Sequence, residues 1–247
     1  MTTTDTDITP TDTAKELVEQ ISQQQENADA DAEYPGGIDG ETYWAHQFAF
    51  NLGITTIADP AQANLGGALT RAHMAKMFVE FAGGVLGRTA DTTKVCVYSD
   101  MDDQDDEMQM FARLACQMGI MGVAPDGSPL DNFDPNTIVT RAQSATVLSR
   151  VLWGSAHDGS TPWYAGHLSA LSAAGYITNT NPMLTEQRGF FMIMLQRVAG
   201  QLVASYSLSS TDAMSDDTNG DDDDLASETT SLLENNALAL AVRNTIR

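Results

Sequence analysis

Three stretches of the chain carry apolar residues at helical spacing behind a similar polar opening. They are LTRAHMAKMFVEFAGG (Leu69 to Gly84), VTRAQSATVLSRVLWG (Val139 to Gly154) and EQRGFFMIMLQRVAG (Glu186 to Gly200). Set in register on Arg71, Arg141 and Arg188, their core-type positions coincide: Met77, Val147 and Met194; Phe78, Leu148 and Leu195; Phe81, Val151 and Val198. A 3.6-residue period keeps these positions on one face, and a one-residue slip would rotate the stripe by about 100°. The stripe, more than the superficially closer "LTEQ", therefore sets the register. Thr140 stands where such a helix takes its N-cap.

Each of these segments follows another apolar run, within WAHQFAFNLGI, MFARLACQMGI and YAGHLSALSAAGYI. Gly53, Gly119 and Gly175 close those runs where a helix end calls for positive φ. The unit is thus helix, glycine cap, loop, helix, three times over, with thirteen to twenty-two residues from glycine to arginine. Length varies most cheaply on a surface. One two-helix unit cannot bury both its faces, so the expected fold is mainly α, with three helix-loop-helix units packed around a shared axis.

The predicted boundaries are residues 34–97, 98–155 and 156–206 for the three units. Residues 1–33 read as a Thr/Asp-rich spacer with one short helix near Ala14 to Gln25. Residues 207–247 read as a self-repelling acidic linker ending in a weak helical segment near Leu232 to Thr245.

Composition narrows the function. The chain has 247 residues, 42% hydrophobic, enough for a core. Thirty-four acids face twelve bases, a net charge of −22, and such a field repels nucleic acid and anionic membranes before contact. The same surface suits high salt, divalent cations or plain solubility. No run of about 18 apolar residues predicts a membrane span, and the opening residues show neither the basic nor the apolar region of a signal peptide. Cys96 and Cys116 fit no zinc spacing and are either a bridge or two buried thiols. A bridge across that loop adds about 3 kcal/mol in the chain-entropy account.

The arginines stand out in so acidic a chain. An arginine at a helix start opposes the macrodipole by a few tenths of a kcal/mol, so a threefold recurrence calls for a reason. Either it binds an anion, where guanidinium and free helix N–H groups act together, or it pairs with a carboxylate from a neighbouring unit.

The stretch from Tyr98 to Gly154 resembles a surface-layer homology (SLH) repeat. Tyr98-Ser99-Asp100 is similar to the family's opening, Gly119-Ile120 and Asp126-Gly127 to its helix end and "PDG" loop, Phe133 and Pro135 to its "F.P", and Thr140-Arg141-Ala142-Gln143 to its signature tetrapeptide. The first unit keeps Thr70-Arg71-Ala72 but has His73 in the fourth place. The third keeps the helix-one Trp as Trp163, with Gln187-Arg188-Gly189 for the tetrapeptide. The resemblance implies a pseudo-threefold, mostly helical prism on the cell surface. Such modules anchor exported proteins non-covalently to acidic, typically pyruvylated, cell-wall polysaccharide in grooves between repeats. By that resemblance the glycan contacts are Arg71, Arg141, Arg188, Trp163 and Gln143. Glu41 and Glu107 replace the helix-one Trp in the first two units, with Trp44 and Tyr43 as steric substitutes. Trp163 is either a stacking platform for a sugar or a core filler at a junction.

A second reading makes the chain a surface-layer assembly protein, self-associating through calcium-bridged acidic surfaces. The runs SDMDDQDDE and DGSPLDNFD offer oxygen ligands, although Pro-Asp-Gly explains the latter as turn chemistry. SDDTNGDDDDLA imitates an EF-hand loop but has Ala226 where a bidentate Glu belongs. No cofactor is implied. The four histidines lack metal spacing, "AGGVLG" lacks the flanking strand of a phosphate loop, and a Ser-His-Asp set drawn from distant residues carries no weight, so no enzyme is expected. The methionines read as core filler.

Overall fold

The computed structural model describes residues 8–29, 32–124 and 126–214. These are mainly helical: α1 (Asp12–Glu26), α2 (Gly40–Asn51), α3 (Arg71–Gly84), α4 (Asp106–Gln117), α5 (Arg141–Trp153), α6 (Ala165–Ala173) and α7 (Arg188–Met214). The chain divides into a body over residues 1–207 and a second unit over 208–247. Of the second, only the last turns of α7 are described. The EF-hand-like run and the segment near Leu232 lie outside the described residues.

Side-chain caps start the helices where the sequence signals them. Thr11, Asp39, Thr70 and Asp105 accept hydrogen bonds from the N–H groups of Ala14, Thr42, His73 and Met108, and Thr140 with Gln143 forms a capping box on α5. Gly53, Gly119 and Gly175 sit at φ of 74°, 70° and 74°, a region β-branched or bulky side chains avoid.

The residues that open α3, α5 and α7 are tied into a closed cycle. Leu69 N–H donates to Glu186 O (2.8 Å), Glu186 N–H to Val139 O (2.9 Å), and Val139 N–H to Leu69 O (2.9 Å). Two residues on, Arg71, Arg141 and Arg188 donate their N–H groups to the carbonyls of Thr137, Leu184 and Gly67. One step further, Ala72, Ala142 and Gly189 donate to Pro135, Pro182 and Leu65. These bonds satisfy first-turn N–H groups that no helix can pair internally. Gly189, the departure from alanine in the third unit, lies so close to Leu65 that an added Cβ would meet its carbonyl oxygen at 3.2 Å.

Below this cycle the aligned stripes form the core. Phe78, Phe81, Leu148, Leu195 and Val198 are fully buried, and Phe78 meets Phe191 edge to face at 4.9 Å, joining α3 to α7. α3 packs on α4 and α5 on α6.

Two boundaries differ from the sequence reading. α1 is no spacer: Ala14, Leu17 and Ile21 make a buried stripe, α1 packs on α2, and Thr11 donates its N–H to Val85 O (2.9 Å) and its hydroxyl to Gly84 O. Three apolar residues in a polar stretch make a weak periodic signal, yet that suffices once α2 lies against them. α7 also continues past residue 206 to Met214. Cys96 and Cys116 are bridged, fastening the segment before the second unit to α4.

Candidate functional site

The three arginines start α3, α5 and α7, and each guanidinium reaches the loop of another unit. Arg71 Nε donates to Phe133 O (2.8 Å), Arg141 Nη1 to Asn179 O (3.2 Å) and Arg188 Nη1 to Ala63 O (3.4 Å). Phe133 and Ala63 both stand eight residues before the following arginine, and Asn179 nine. The helix-start register therefore delivers three like-placed cations.

Their surroundings differ. Arg141 is only 5% exposed and forms a bidentate pair with Glu186, Nε to Oε2 at 2.7 Å and Nη2 to Oε1 at 2.8 Å. Glu186 is wholly buried, and the Ser144 hydroxyl donates to its Oε2 at 2.6 Å. Arg141, expected as a glycan contact, thus takes the other alternative, pairing with a carboxylate of a neighbouring unit. In the ring the counterparts of Glu186 are Leu69 and Val139, which carry no charge. Arg71 and Arg188 are half-buried and have no carboxylate partner among the described residues. Arg71 lies over the Phe133 ring, 5.4 Å from its centroid. Burial lowers the pKa of Arg188 from its usual value, without bringing an arginine near neutrality in water. His73 is pushed down by desolvation first, then by the charges of Arg188 and Lys76, so the neutral imidazole stands within the field of these two cations.

The other predicted contacts separate in the same way. Gln143, expected as a glycan contact, accepts from Thr140 N–H through Oε1 at 2.9 Å and so caps α5. Trp44 is half-buried in an aromatic cluster, edge-on to Tyr43 (5.0 Å) and Tyr34 (6.3 Å). Trp163 is 53% exposed, edge-on to Tyr164 at 5.3 Å, and fills no core. Where the other units have glutamate in its place, ion pairs form: Glu41 with Arg197 (Nε to Oε1, 3.0 Å) and Glu107 with Lys76 (2.8 Å).

Glu186 is the residue that sequence reasoning missed. Its signal was an acid two places before an arginine where the other units carry leucine and valine.

The acid runs are occupied by local structure. Asp100 accepts from the N–H groups of Phe133 (2.8 Å) and Asp134 (2.7 Å), Asp105 caps α4, and Asp126 accepts from Ser128. Among the described residues no three His, Cys, Asp or Glu side chains converge to hold a metal ion, and no helix is long and apolar enough to cross a membrane. A Ser-His-Asp line does occur: Ser149 Oγ lies 3.0 Å from His167 Nδ1, whose Nε2 lies 3.1 Å from Asp158 Oδ1. Ser149 is fully buried and His167 1% exposed, so this line ties α5 and α6 to the loop between them. Arg150 Nε also reaches Asp158 (2.9 Å).

Comparison with protein-family models finds no match to this chain, and comparison with curated protein sequences finds none.

Proposed function

We propose that this chain is a three-repeat SLH-type module that attaches to the cell envelope by capturing an acidic, carboxylate-bearing wall polysaccharide at Arg71 and Arg188. The observation that carries the reading is the closed cycle of hydrogen bonds among three helix starts, with two of its three arginines lacking a carboxylate partner among the described residues. On this reading the cycle is the axis of a pseudo-threefold prism, and the clefts beside it are the grooves between repeats. A half-buried guanidinium at a helix N-terminus favours a bound carboxylate by direct charge-assisted hydrogen bonding, and the helix dipole adds to it. The Glu186 carboxylate on Arg141 illustrates the pose, two parallel N–H···O bonds within 2.8 Å.

The strongly negative body works against a polyanion at long range, so the sites act at contact distance and screening salt helps them. The disulfide suits an oxidising setting outside the cytoplasm. No catalytic step and no cofactor enter this role.

The test is co-sedimentation of the full chain with purified wall polysaccharide. Binding is expected to survive chelator and to fall at least tenfold in the double variant Arg71→Ala, Arg188→Ala. Binding that vanishes with chelator, or persists in the double variant, rejects the reading.

A further inference from the structure

Two residues of the body hold a backbone conformation that side chains other than glycine avoid. Asn64 has φ of 48° and Asp134 of 58°, the positive values outside glycine among the described residues. They occupy one place in the repeat, seven residues before Arg71 and Arg141 respectively. Each opens a turn: Gly67 N–H donates to Asn64 O (2.9 Å) and Thr137 N–H to Asp134 O (3.1 Å).

That turn grips the arginine end of another unit's helix at three points. In the first unit Ala63 O accepts from the Arg188 guanidinium, Leu65 O from Gly189 N–H and Gly67 O from Arg188 N–H. In the second, Phe133 O, Pro135 O and Thr137 O receive the Arg71 guanidinium, Ala72 N–H and Arg71 N–H. In both, the accepting carbonyls are two residues apart. In the third unit they belong to Asn179, Pro182 and Leu184, with one residue more between the first two, and no described residue from 176 to 187 has positive φ. That loop faces Arg141, the arginine held by Glu186.

The φ of a residue is rotation about its N–Cα bond, so it sets the plane of the preceding peptide and the direction of the preceding carbonyl. Passing from about −60° to about +50° at Asn64 or Asp134 swings the carbonyl of Ala63 or Phe133 through roughly a third of a turn. Asparagine and aspartate carry this conformation more readily than other residues with a Cβ. A carbonyl also holds a guanidinium differently from a carboxylate. It accepts a hydrogen bond and leaves the full charge in place, whereas Glu186 neutralises Arg141.

We infer that Asn64 and Asp134 are the positioning residues for Arg188 and Arg71: turned left-handed, they aim the carbonyls of Ala63 and Phe133 at the guanidinium groups and fix these for a ligand carboxylate. The inference rests on the proposed capture by those two arginines. A side chain already fixed loses less freedom on binding, which is where the affinity is gained.

Valine and glycine variants at the two positions test it, since both delete the polar side chain and only valine resists positive φ. In co-sedimentation of the full chain with wall polysaccharide, below the melting temperature of each variant, Asn64→Val and Asp134→Val should each weaken capture about fivefold or more. Asn64→Gly and Asp134→Gly should restore it. Where a valine variant fails to fold, alanine takes its place, with a smaller loss in the same direction. Equal capture by the valine and glycine variants, whether kept or lost, overturns the inference. Hydrogen exchange of the Arg71 Nε–H, read by NMR without any glycan, gives the second measurement. It should be slower than that of the exposed Arg113 in the unsubstituted and Asp134→Gly chains and lose this protection in Asp134→Val. Protection that survives in Asp134→Val overturns the inference as well. Should the unsubstituted chain capture no polysaccharide, the proposed function fails, and the exchange rates still decide whether Asp134 positions Arg71.

Discussion

Arg141 and its counterparts Arg71 and Arg188 occupy the same place in the repeat and differ in what faces them. Arg141 meets Glu186 and Ser144 in the interior; Leu69 and Val139 take the place of Glu186 at the other two. One signature therefore serves two physical roles. Around Arg141 the guanidinium is a structural cross-link whose desolvation is compensated only while its partner is present. Around Arg71 and Arg188 the side chain is held, among the described residues, by carbonyl and aromatic contacts, with no carboxylate. The segment Thr140-Arg141-Ala142-Gln143 thus holds the buried arginine, and the two segments that depart from it hold the half-buried ones.

The largest expected effect is at the locked arginine. Glu186→Ala strands a buried cation and should cost about 3–5 kcal/mol by chemical denaturation, whereas replacing both partners, Arg141→Met with Glu186→Leu, should restore most of that stability. A single Glu186→Ala loss under about 1 kcal/mol would break the distinction between the two kinds of arginine.

Next is the disulfide that fastens the end of the first unit to α4 of the unit that carries Arg141. Reduction of Cys96–Cys116 should lower stability by about 3 kcal/mol and leave glycan capture per folded molecule unchanged. A loss of capture in proportion to reduction would tie the sites to the second unit after all.

Acidification should come next in size. Burial lowers the pKa of His46, which binds Ile57 O (2.9 Å), and of His167, whose burial outweighs the opposing Asp158 carboxylate. The unfolded chain then takes protons first. Stability is retained above the unperturbed value of 6.5 and lost as pH falls below it. His167→Asn should flatten this slope in pH-dependent melts, and an unchanged slope would assign it elsewhere.

The smallest stability change belongs to the half-buried pair. Arg71→Ala and Arg188→Ala should each shift stability by under about 1 kcal/mol while removing capture. Losses as large as that of Glu186→Ala would make them structural too.

Much of this fold was legible because it rests on local rules. The 3.6-residue stripes placed Phe78, Leu148 and Leu195 in the core, and the glycines at 53, 119 and 175 announced helix ends at positive φ. Other features were misread for want of a partner. The helix expected near Ala14 to Gln25 was read as part of a spacer, and only its packing on α2 shows that Ala14, Leu17 and Ile21 belong to the core; Gln143 carries a cap bond to the Thr140 N–H that the sequence reading did not assign.

The amino-acid order alone determined the period, caps and register of three like segments, because these depend on residues within a turn or two of one another. Which arginine is quenched was decided only in three dimensions. Arg141 and Glu186 lie 45 positions apart, and only packing brings them together. Charge pairing acts across space, and no local pattern encodes it.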